Sequence, residues 1–462
     1  MKSKGFIILT AIFLSVIFFT QFKLINHPVK DNDEGIYLTS FLLVDRGYPA
    51  YKKTYFSQPP GFLLAVYPGF ILFGKTLQAA RFTVGLWSLI GLLAIIWIGF
   101  ELKNKWIGLL AIGLLFLVPS YFNQSLTFQS DILITTFSLI CLAALIKFGK
   151  NLHLPWFIIS TFFLNLSFWT KFDITFFPSF ILFFWFMYGE KKITFKEITN
   201  LFLIFLAVSM GFFILFILPF GAREVFNNSI LLRFQAAANS SSSFLLINYL
   251  IKDITLSVII IGSLISSFFK KNKSNSSSNI ILLWNIFVLI IFFFYRPLFP
   301  HHLVILAVPY VLLFSLLLVN FINKSTFRYV VLTVLIVSLI NRINIATKTS
   351  SGLINKQQQK TVEIIKKYAN INDFVISDEE ILTGLSGRLP PPELSDISQV
   401  RIRSNNLNSG DFKKIVIDYK PKLIITWNGR LESIKNFREN LSYYKILTSF
   451  SPSKNIYMRI VE

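Results

Sequence analysis

The 462-residue chain is poor in cysteine and in charge. Its single cysteine, Cys141, lies inside an apolar stretch, which excludes an internal disulfide and any cysteine-rich metal site. Charged residues make up 15% of the chain, whereas soluble domains carry about a quarter. Hydrophobic residues reach 54%, with 52 phenylalanines, and the mean hydropathy is +0.61. This composition excludes a soluble globular protein and predicts an integral membrane protein.

Apolar stretches long enough to cross about 30 Å of hydrocarbon as helices recur from Ile7 to Ile345. About eleven spans are predicted, at 6–22, 80–100, 106–121, 131–147, 155–170, 174–189, 199–219, 250–269, 279–295, 302–320 and 328–345. Residues 346–462 lack such stretches. The sequence therefore predicts a membrane domain over 1–345 and a separate domain over 346–462.

Short basic connectors set the expected orientation. If there are eleven spans, six short basic connectors all fall on one side of the membrane: "MKSK", "ELKNK", "IKFGKN", "GEKKITFKE", "FFKKNKSNSSSN" and "NKSTFR". By the positive-inside rule, that side is cytoplasmic. The first span is expected to be an uncleaved anchor, because no small-residue cleavage site follows Phe18, Phe19 and Thr20. The chain is thus predicted to be a multi-pass protein of the cell membrane, with a cytoplasmic N-terminus and an extracytoplasmic tail.

The tail is predicted to be a small α/β domain. Val362, Ile365 and Tyr368 have helical spacing, and "DFVISDEE", "PKLIITWNG", "YYKILTSF" and "NIYMRIVE" are typical of strands. Residues 346–462 contain no histidine, no cysteine and no glycine-rich phosphate loop. An accessory role is therefore expected for this domain.

The first outer loop, residues 23–79, gathers three carboxylates in "DNDEGIY", residues 31–37. Its apolar pieces "YLTSFLLV" and "GFLLAVYPGFILFG" are too short or too interrupted to span, which favours helices lying in the membrane interface. The net charge of +22 is spread over cytosolic connectors, this loop and the tail, so it indicates topology and contact with anionic lipids, not nucleic acid. A carboxylate held at headgroup depth is costly unless it is paired or functional.

An ordered series of motifs over residues 5–320 resembles the GT-C superfamily of membrane glycosyltransferases. Asp33 and Glu34 are followed by Tyr37, by "QPPG" about 25 positions on, and by "FG" and "AARFTVGLWSLIGLL". "TFQSDILITTF", "LSFWTKFDITFFP" and "YRPLFPHHLVILAVPYVLL" come next in the expected order. The series is most similar to the branch that holds the protein mannosyltransferases and the lipid A aminoarabinose transferases.

The resemblance implies a mainly α, polytopic fold with interface helices in the first outer loop and an extracytoplasmic C-terminal domain. It also implies transfer of a sugar from a polyprenyl-phosphate donor to a lipid, glycan or protein acceptor on the outer face, usually with inversion. Asp33 matches the family's catalytic aspartate and would accept the proton of the attacking hydroxyl, with Glu34 beside it. The residues expected to bind substrate or the leaving phosphate are Tyr37, Lys52, Lys53, Gln58, Asp131, Lys171, Arg296, His301 and His302.

One position departs from the family pattern. Gln58 stands where the relatives carry lysine before the two prolines, and an amide can hydrogen-bond a phosphate but cannot neutralise it. Lys52 and Lys53 lie a few residues upstream and are the expected replacements. No cofactor is expected from the resemblance, while a carboxylate metal site around Asp33, Glu34 and Asp131 is left open.

Structural interpretations compete with these functional ones. The acids of the first loop could stabilise the N-terminus of a following helix, and Asp131 after Ser130 could begin a span as part of a cap. Lys171 could pair with Asp173 in a tight outer turn. Arg296, His301 and His302 could extend to the interface as snorkelling side chains, and "QPP" could form a rigid entry to a helix.

Two other functions share the polytopic architecture. A transporter of lipid-linked sugars usually carries internal repeats and ionisable positions at mid-membrane, whereas the polar residues here gather at the outer boundary. A polysaccharide polymerase or ligase tends to concentrate arginines in a late external loop, whereas the acids here lie in the first one. Both remain alternatives to the glycosyltransferase prediction.

Overall fold

The computed structural model describes residues 3–102, 104–172, 174–189, 193–238, 245–268, 276–319, 321–349 and 352–460. Its α-helices, in chain order, are α1 (Ser3–Leu24), α2 (Asn32–Asp45), α3 (Pro60–Leu72), α4 (Leu77–Glu101), α5 (Lys105–Leu117), α6 (Pro119–Gln124), α7 (Asp131–Asn151), α8 (Leu154–Lys171), α9 (Phe177–Gly189), α10 (Phe195–Phe212), α11 (Ala222–Val225), α12 (Leu232–Ala238), α13 (Leu245–Lys252), α14 (Ile254–Phe268), α15 (Ser276–Phe294), α16 (Leu303–Leu318), α17 (Lys324–Lys348), α18 (Lys356–Tyr368), α19 (Glu380–Ser386), α20 (Gln399–Arg403) and α21 (Ser409–Tyr419). Two π-helices span Phe213–Ile217 and Phe226–Leu231, and the strands are β1 (Val375–Ser377), β2 (Leu423–Thr426), β3 (Tyr444–Ser451) and β4 (Lys454–Arg459).

Each of the eleven predicted spans overlaps at least one of these helices, and the prediction of a mainly α, polytopic membrane protein is confirmed. Among the described residues, six helices are long and apolar enough to cross a membrane, and the pair α13 and α14, bent by 108°, could form a seventh crossing. Shorter apolar helices occupy the predicted spans at 106–121, 174–189 and 279–295. The number of crossings therefore stays a prediction.

The described chain separates into two compact units. Unit 1 comprises Met1–Ile25, Arg81–Leu215 and Ser242–Thr349, and unit 2 comprises Asn26–Ala80, Phe216–Ser241 and Ser350–Glu462. Residues of the first outer loop and of the tail thus belong to one unit. The predicted domain division after residue 345 stays a prediction, because a compact unit need not fold independently.

In unit 1, α7 and α8 form an antiparallel pair fixed by small polar side chains. The Ser167 hydroxyl donates to the Ile134 carbonyl at 3.1 Å, and the Ser160 hydroxyl donates to the Cys141 carbonyl at 3.0 Å. Most of α7 is buried. The antiparallel arrangement brings the start of α7 and the end of α8 to the same end of the unit.

In unit 2, the strands predicted for the tail form one sheet in the order β1-β2-β4-β3. β1 and β2 are parallel, and the other two pairings are antiparallel. The core against the sheet includes Ile376, Ile424, Phe412 and Leu431. α2 and α3 also belong to unit 2; α2 contains the first apolar piece predicted to be an interface helix, and α3 contains the second except for its last two residues.

Candidate active site

The three acids of "DNDEGIY" occupy different positions at the start of α2. Asp31 is the N-cap residue, and its carboxylate accepts a hydrogen bond from the Asp33 backbone N–H at 3.1 Å. Asp33 is half-buried, whereas Glu34 is fully buried. The capping role expected as the structural alternative therefore belongs to Asp31, and Asp33, half-buried like Asp31, keeps some access to solvent.

A chain of hydrogen bonds joins Asp33 to a cation within unit 2. Tyr37 lies one helical turn after Asp33, and its hydroxyl is 3.4 Å from Asp33 Oδ2. Gln58 Nε2 donates to the Tyr37 hydroxyl at 2.6 Å, and Arg233 Nη2 donates to Gln58 Oε1 at 2.7 Å. Carboxylate, phenol, amide and guanidinium thus form one network, the Asp33–Arg233 network.

The loop before α3 holds Gln58 in place for both of its partners. The Tyr51 hydroxyl donates to the Gln58 carbonyl at 2.6 Å. Burial raises the pKa of the Tyr51 hydroxyl well above its usual value, so this group stays a neutral donor. Pro59 and Pro60 begin α3, with Pro60 at its first position, which is the rigid entry expected as the structural alternative. Gln58 itself has a different role, as the bridge between Tyr37 and Arg233.

Arg233 is a site residue that the sequence analysis missed. It lies on α12, immediately after the π-helix Phe226–Leu231, in a segment without a recognisable motif. Lys52 and Lys53, which were expected to replace the family's lysine, are both exposed on the loop before Gln58. In the structure, the cation that contacts Gln58 is Arg233.

A second polar cluster lies in unit 1, where α7 begins and α8 ends. Lys171 Nζ is 2.6 Å and 2.7 Å from the two carboxylate oxygens of Asp131, and the side chains are 4% and 1% exposed. Ser130 makes no side-chain cap bond to α7, so Asp131 serves here as an ion-pair partner. The alternative partner Asp173 lies outside the described residues.

His301 and His302 lie next to this ion pair. One ligand atom each of Asp131, His301 and His302 lies within 4.8 Å of the others, a spacing that a metal ion could bridge. Lys171 already contacts both oxygens of Asp131, so a divalent cation would have to displace the ammonium group. The arrangement suits an ion pair flanked by imidazoles better than it suits a metal site. The carboxylate metal site left open above stays without a test.

An apolar pocket adjoins the same cluster. It is lined by the polar side chains of Lys171, Tyr295 and His302 and by Ile134, Phe172, Ile174, Thr175, Ile291, Phe292 and Ile305. Arg296, half-exposed beside Tyr295, donates from Nη1 to the Tyr295 carbonyl at 2.7 Å. The walls combine apolar side chains with a few basic and hydroxyl groups, but the free space between them is about that of one water molecule.

Replacing Lys171 with methionine is expected to destabilise the protein by about 3–5 kcal/mol, because it leaves the buried Asp131 carboxylate unpaired. The double variant Asp131→Asn/Lys171→Met should regain most of this loss, since it removes both charges. Thermal denaturation of the purified variants measures both effects. Equal stability of the single and double variants would show that the pair does not hold unit 1 together.

Comparison with known proteins places these observations in a family context. Residues 57–219 match the model of the dolichyl-phosphate-mannose-protein mannosyltransferase family. No curated protein sequence matches the chain. The fold matches ArnT from Cupriavidus metallidurans bound to undecaprenyl phosphate with a TM-score of 0.70 and 14% identity, covering 99% of this chain and 98% of ArnT.

Two further structures agree with this match. The apo state of the same ArnT gives a TM-score of 0.69 at 14% identity, covering 100% of this chain and 99% of that one. The Archaeoglobus fulgidus oligosaccharyltransferase, in complex with zinc and sulfate, gives 0.56 at 14% identity, covering 97% of this chain and 73% of that one. The protein thus has the fold of GT-C membrane glycosyltransferases, and the resemblance drawn from its motifs is confirmed at this level.

Proposed function

We propose that the protein is a membrane glycosyltransferase that moves a sugar from a polyprenyl-phosphate donor to a hydroxyl of a lipid, glycan or protein acceptor, with inversion at the anomeric carbon. The observation that carries this proposal is the Asp33–Arg233 network. A transfer of this kind needs a base for the acceptor hydroxyl and a cation for the leaving phosphate. The network supplies both kinds of group within one unit.

The proposed reaction is a single displacement. The acceptor oxygen attacks the anomeric carbon, the bond from that carbon to the phosphate oxygen breaks, and its electron pair stays on the polyprenyl phosphate. Asp33 takes the proton of the attacking hydroxyl as the new glycosidic bond forms. Arg233 stabilises the negative charge that grows on the leaving phosphate, and Gln58 fixes the direction of its guanidinium.

The lipid part of the proposal is supported by the apolar surface beside Lys171, Tyr295 and His302, whose side chains are chemically compatible with isoprenoid units. The ArnT structure named above contains undecaprenyl phosphate. Lys171, Arg296, Lys52 and Lys53 are proposed to contribute positive charge that attracts the anionic donor.

The proposed topology places the N-terminus in the cytoplasm and the Asp33–Arg233 network on the extracytoplasmic side. Six short basic connectors support this orientation by the positive-inside rule. Polyprenyl-linked sugars presented on the outer leaflet would then reach the network without crossing the membrane.

Proteoliposomes that contain the purified protein, incubated with a panel of radiolabelled polyprenyl-phosphate sugars and a membrane extract as acceptor, test the proposal. We expect one donor class to be consumed and its label to appear in the acceptor fraction, with empty liposomes as the control. Export of intact donor across the liposome membrane would instead favour the transporter, and growth of a polymer from a lipid-linked oligosaccharide would favour the polymerase or ligase. Either result without sugar transfer contradicts the proposal.

Replacing Arg233 with methionine is expected to lower kcat/KM for the donor by about 10- to 1000-fold, because the leaving phosphate loses a charge-assisted partner. Arg223→Met is the matched control, since Arg223 is an exposed arginine on the nearby α11. Initial rates at varied donor concentration measure the effect. Equal losses in both variants would point to general surface charge and not to Arg233.

A further inference from the structure

Within unit 2, the tail contacts the first outer loop at Tyr55, three residues before Gln58. The Tyr55 backbone N–H donates to the Pro392 carbonyl at 3.1 Å, and the Ser395 hydroxyl donates to the Tyr55 carbonyl at 2.8 Å. Both main-chain polar groups of Tyr55 are therefore bonded to the tail. The loop that leads to Gln58 is fixed from outside as well as by its own bonds.

The side chain of Tyr55 is held by a cation from the same part of the tail. Arg401 Cζ lies 3.7 Å from the centroid of the Tyr55 ring, and Arg401 is 6% exposed. The Tyr55 hydroxyl is buried and has no hydrogen-bond partner among the residues that the structure describes. The position of the ring therefore depends on packing and on the cation–π contact with Arg401, and not on a bond from the hydroxyl.

Three oxygen atoms of the tail fix the guanidinium of Arg401. Its Nη1 donates to the Glu393 carbonyl at 2.5 Å and to the Asp396 carbonyl at 2.8 Å, and its Nε donates to Asn406 Oδ1 at 3.0 Å. A planar guanidinium can make several such bonds at its edge while its face stacks on an aromatic ring. Arg401 thus joins the tail backbone to the Tyr55 ring in one defined geometry.

The helix that carries Arg401 also contacts the helix that carries Arg233. α20 packs against α12 within unit 2. Burial raises the pKa of the Tyr55 hydroxyl, while the positive charges of Arg401 and Arg233 act on it in the opposite direction. α20 therefore contacts both sides of the 2.7 Å bond between Gln58 Oε1 and Arg233 Nη2: the loop that holds Gln58 and the helix that holds Arg233.

We propose that Arg401 is a positioning residue for the transfer reaction, a role that rests on the proposed function. By holding the Tyr55 ring from α20, it fixes residues 49–58 and α12 relative to each other. The Arg233 guanidinium is then kept where the leaving phosphate develops its charge. Arg401 acts through Gln58 and Arg233 and does not contact the substrate. A misplacement of about 1 Å can cost about 100-fold in rate.

Hydrogen exchange of the purified full-length protein in neutral detergent tests the positioning directly. In Arg401→Met, the amides of residues 49–58 and of α12 should exchange faster than in wild type by about tenfold or more. Arg438→Met is the matched control, since Arg438 is an exposed arginine of the tail, and it should exchange like wild type. Unchanged exchange in both segments of Arg401→Met overturns the proposal. If Arg401→Met does not fold, Tyr55→Leu, which removes the ring and leaves the bonds of Arg401, decides by the same comparison.

Kinetics distinguish a positioning role from a merely structural one. Arg401→Met should lower kcat/KM for the donor by about 10- to 100-fold at matched folded abundance. In an Arg233→Met background, the same substitution should cost less than about twofold, because the group that it misplaces is already absent. Losses that multiply in the double variant overturn the proposal. If wild type transfers no sugar, the proposed function fails, while the exchange measurement still decides whether Arg401 fixes the two segments.

Discussion

Replacing Asp33 with asparagine is expected to lower the turnover number for sugar transfer by about 10²- to 10⁴-fold, the usual contribution of a general base. The amide has nearly the shape of the carboxylate and can still accept a hydrogen bond from the Tyr37 hydroxyl. The position of α2 and the binding of donor should therefore change little. The loss should appear in kcat and not in KM for the donor.

Asp31→Asn is the matched control for this experiment. It removes a carboxylate two residues away, but asparagine caps helices about as well as aspartate, so the bond to the Asp33 N–H should persist. Activity close to wild type is expected. If the Asp33→Asn variant transfers sugar as fast as wild type at equal abundance, Asp33 is not the base. If the Asp31→Asn variant loses as much activity as the Asp33→Asn variant, the loss comes from the local negative charge and not from a base at Asp33.

Replacing Gly35 with alanine is expected to abolish most transfer, although alanine is ordinarily the better helix former. A Cβ atom at Gly35 would lie 2.4 Å from the Ile381 backbone nitrogen and 3.0 Å from its Cα atom. Because both are backbone atoms, α2 and α19 would have to move apart. That movement shifts the neighbouring Asp33, and misplacement by about 1 Å can cost about 100-fold in rate.

Two further glycine variants serve as controls for which smaller losses of activity are expected. At Gly384, on α19, a Cβ would lie 2.8 Å from the Leu38 Cδ2 atom, the end of a flexible side chain that can rotate, so Gly384→Ala should cost less activity. Gly211→Ala should be neutral, because nothing lies within 4 Å of its added methyl group. Transfer rates of the three variants at matched membrane abundance test this order. Equal activity of all three would show that the contact between α2 and α19 does not position Asp33.

The contact between α2 and α19 gives the C-terminal tail a structural role. The Thr39 hydroxyl on α2 donates to the Glu380 carbonyl at 3.1 Å, and the Glu380 carboxylate pairs with Arg430 Nη2 at 2.6 Å. Burial raises the pKa of the Glu380 carboxyl to about 8, against the effect of Arg430. The predicted accessory domain thus supports the helix that carries the proposed base, whether or not it also guides an acceptor.

Most of the fold could be predicted from the sequence, because lipid requires long apolar helices whose hydropathy is visible without tertiary information. Breaks within spans were harder. The span predicted at 106–121 is two helices, with Pro119 starting the second, and the one at 250–269 includes a sharp bend between α13 and α14. The helix propensity of the local sequence does not show whether packing holds such a segment as one continuous helix or as two.

The candidate site was only partly predictable. Asp33, Tyr37 and Gln58 could be named because they belong to ordered motifs, and the structure joins them. Arg233 could not, because its partner Gln58 lies 175 residues earlier and α12 carries no pattern that distinguishes it from a lipid-facing helix. A contact between residues this far apart in sequence depends on the fold of the whole chain. Asp131 and Lys171 were named separately, but their ion pair follows from the antiparallel packing of α7 and α8.

The bond between Thr39 and Glu380 joins residues 341 positions apart. At about 5–20 residues per second, roughly 17–70 s of synthesis separate α2 from its partner α19. During that interval the nascent chain can insert its spans, but the helix that carries Asp33 lacks the contact that fixes it. Activity should therefore arise only late in biogenesis, and a ribosome that stops before residue 380 would leave a protein that is inserted in the membrane but inert.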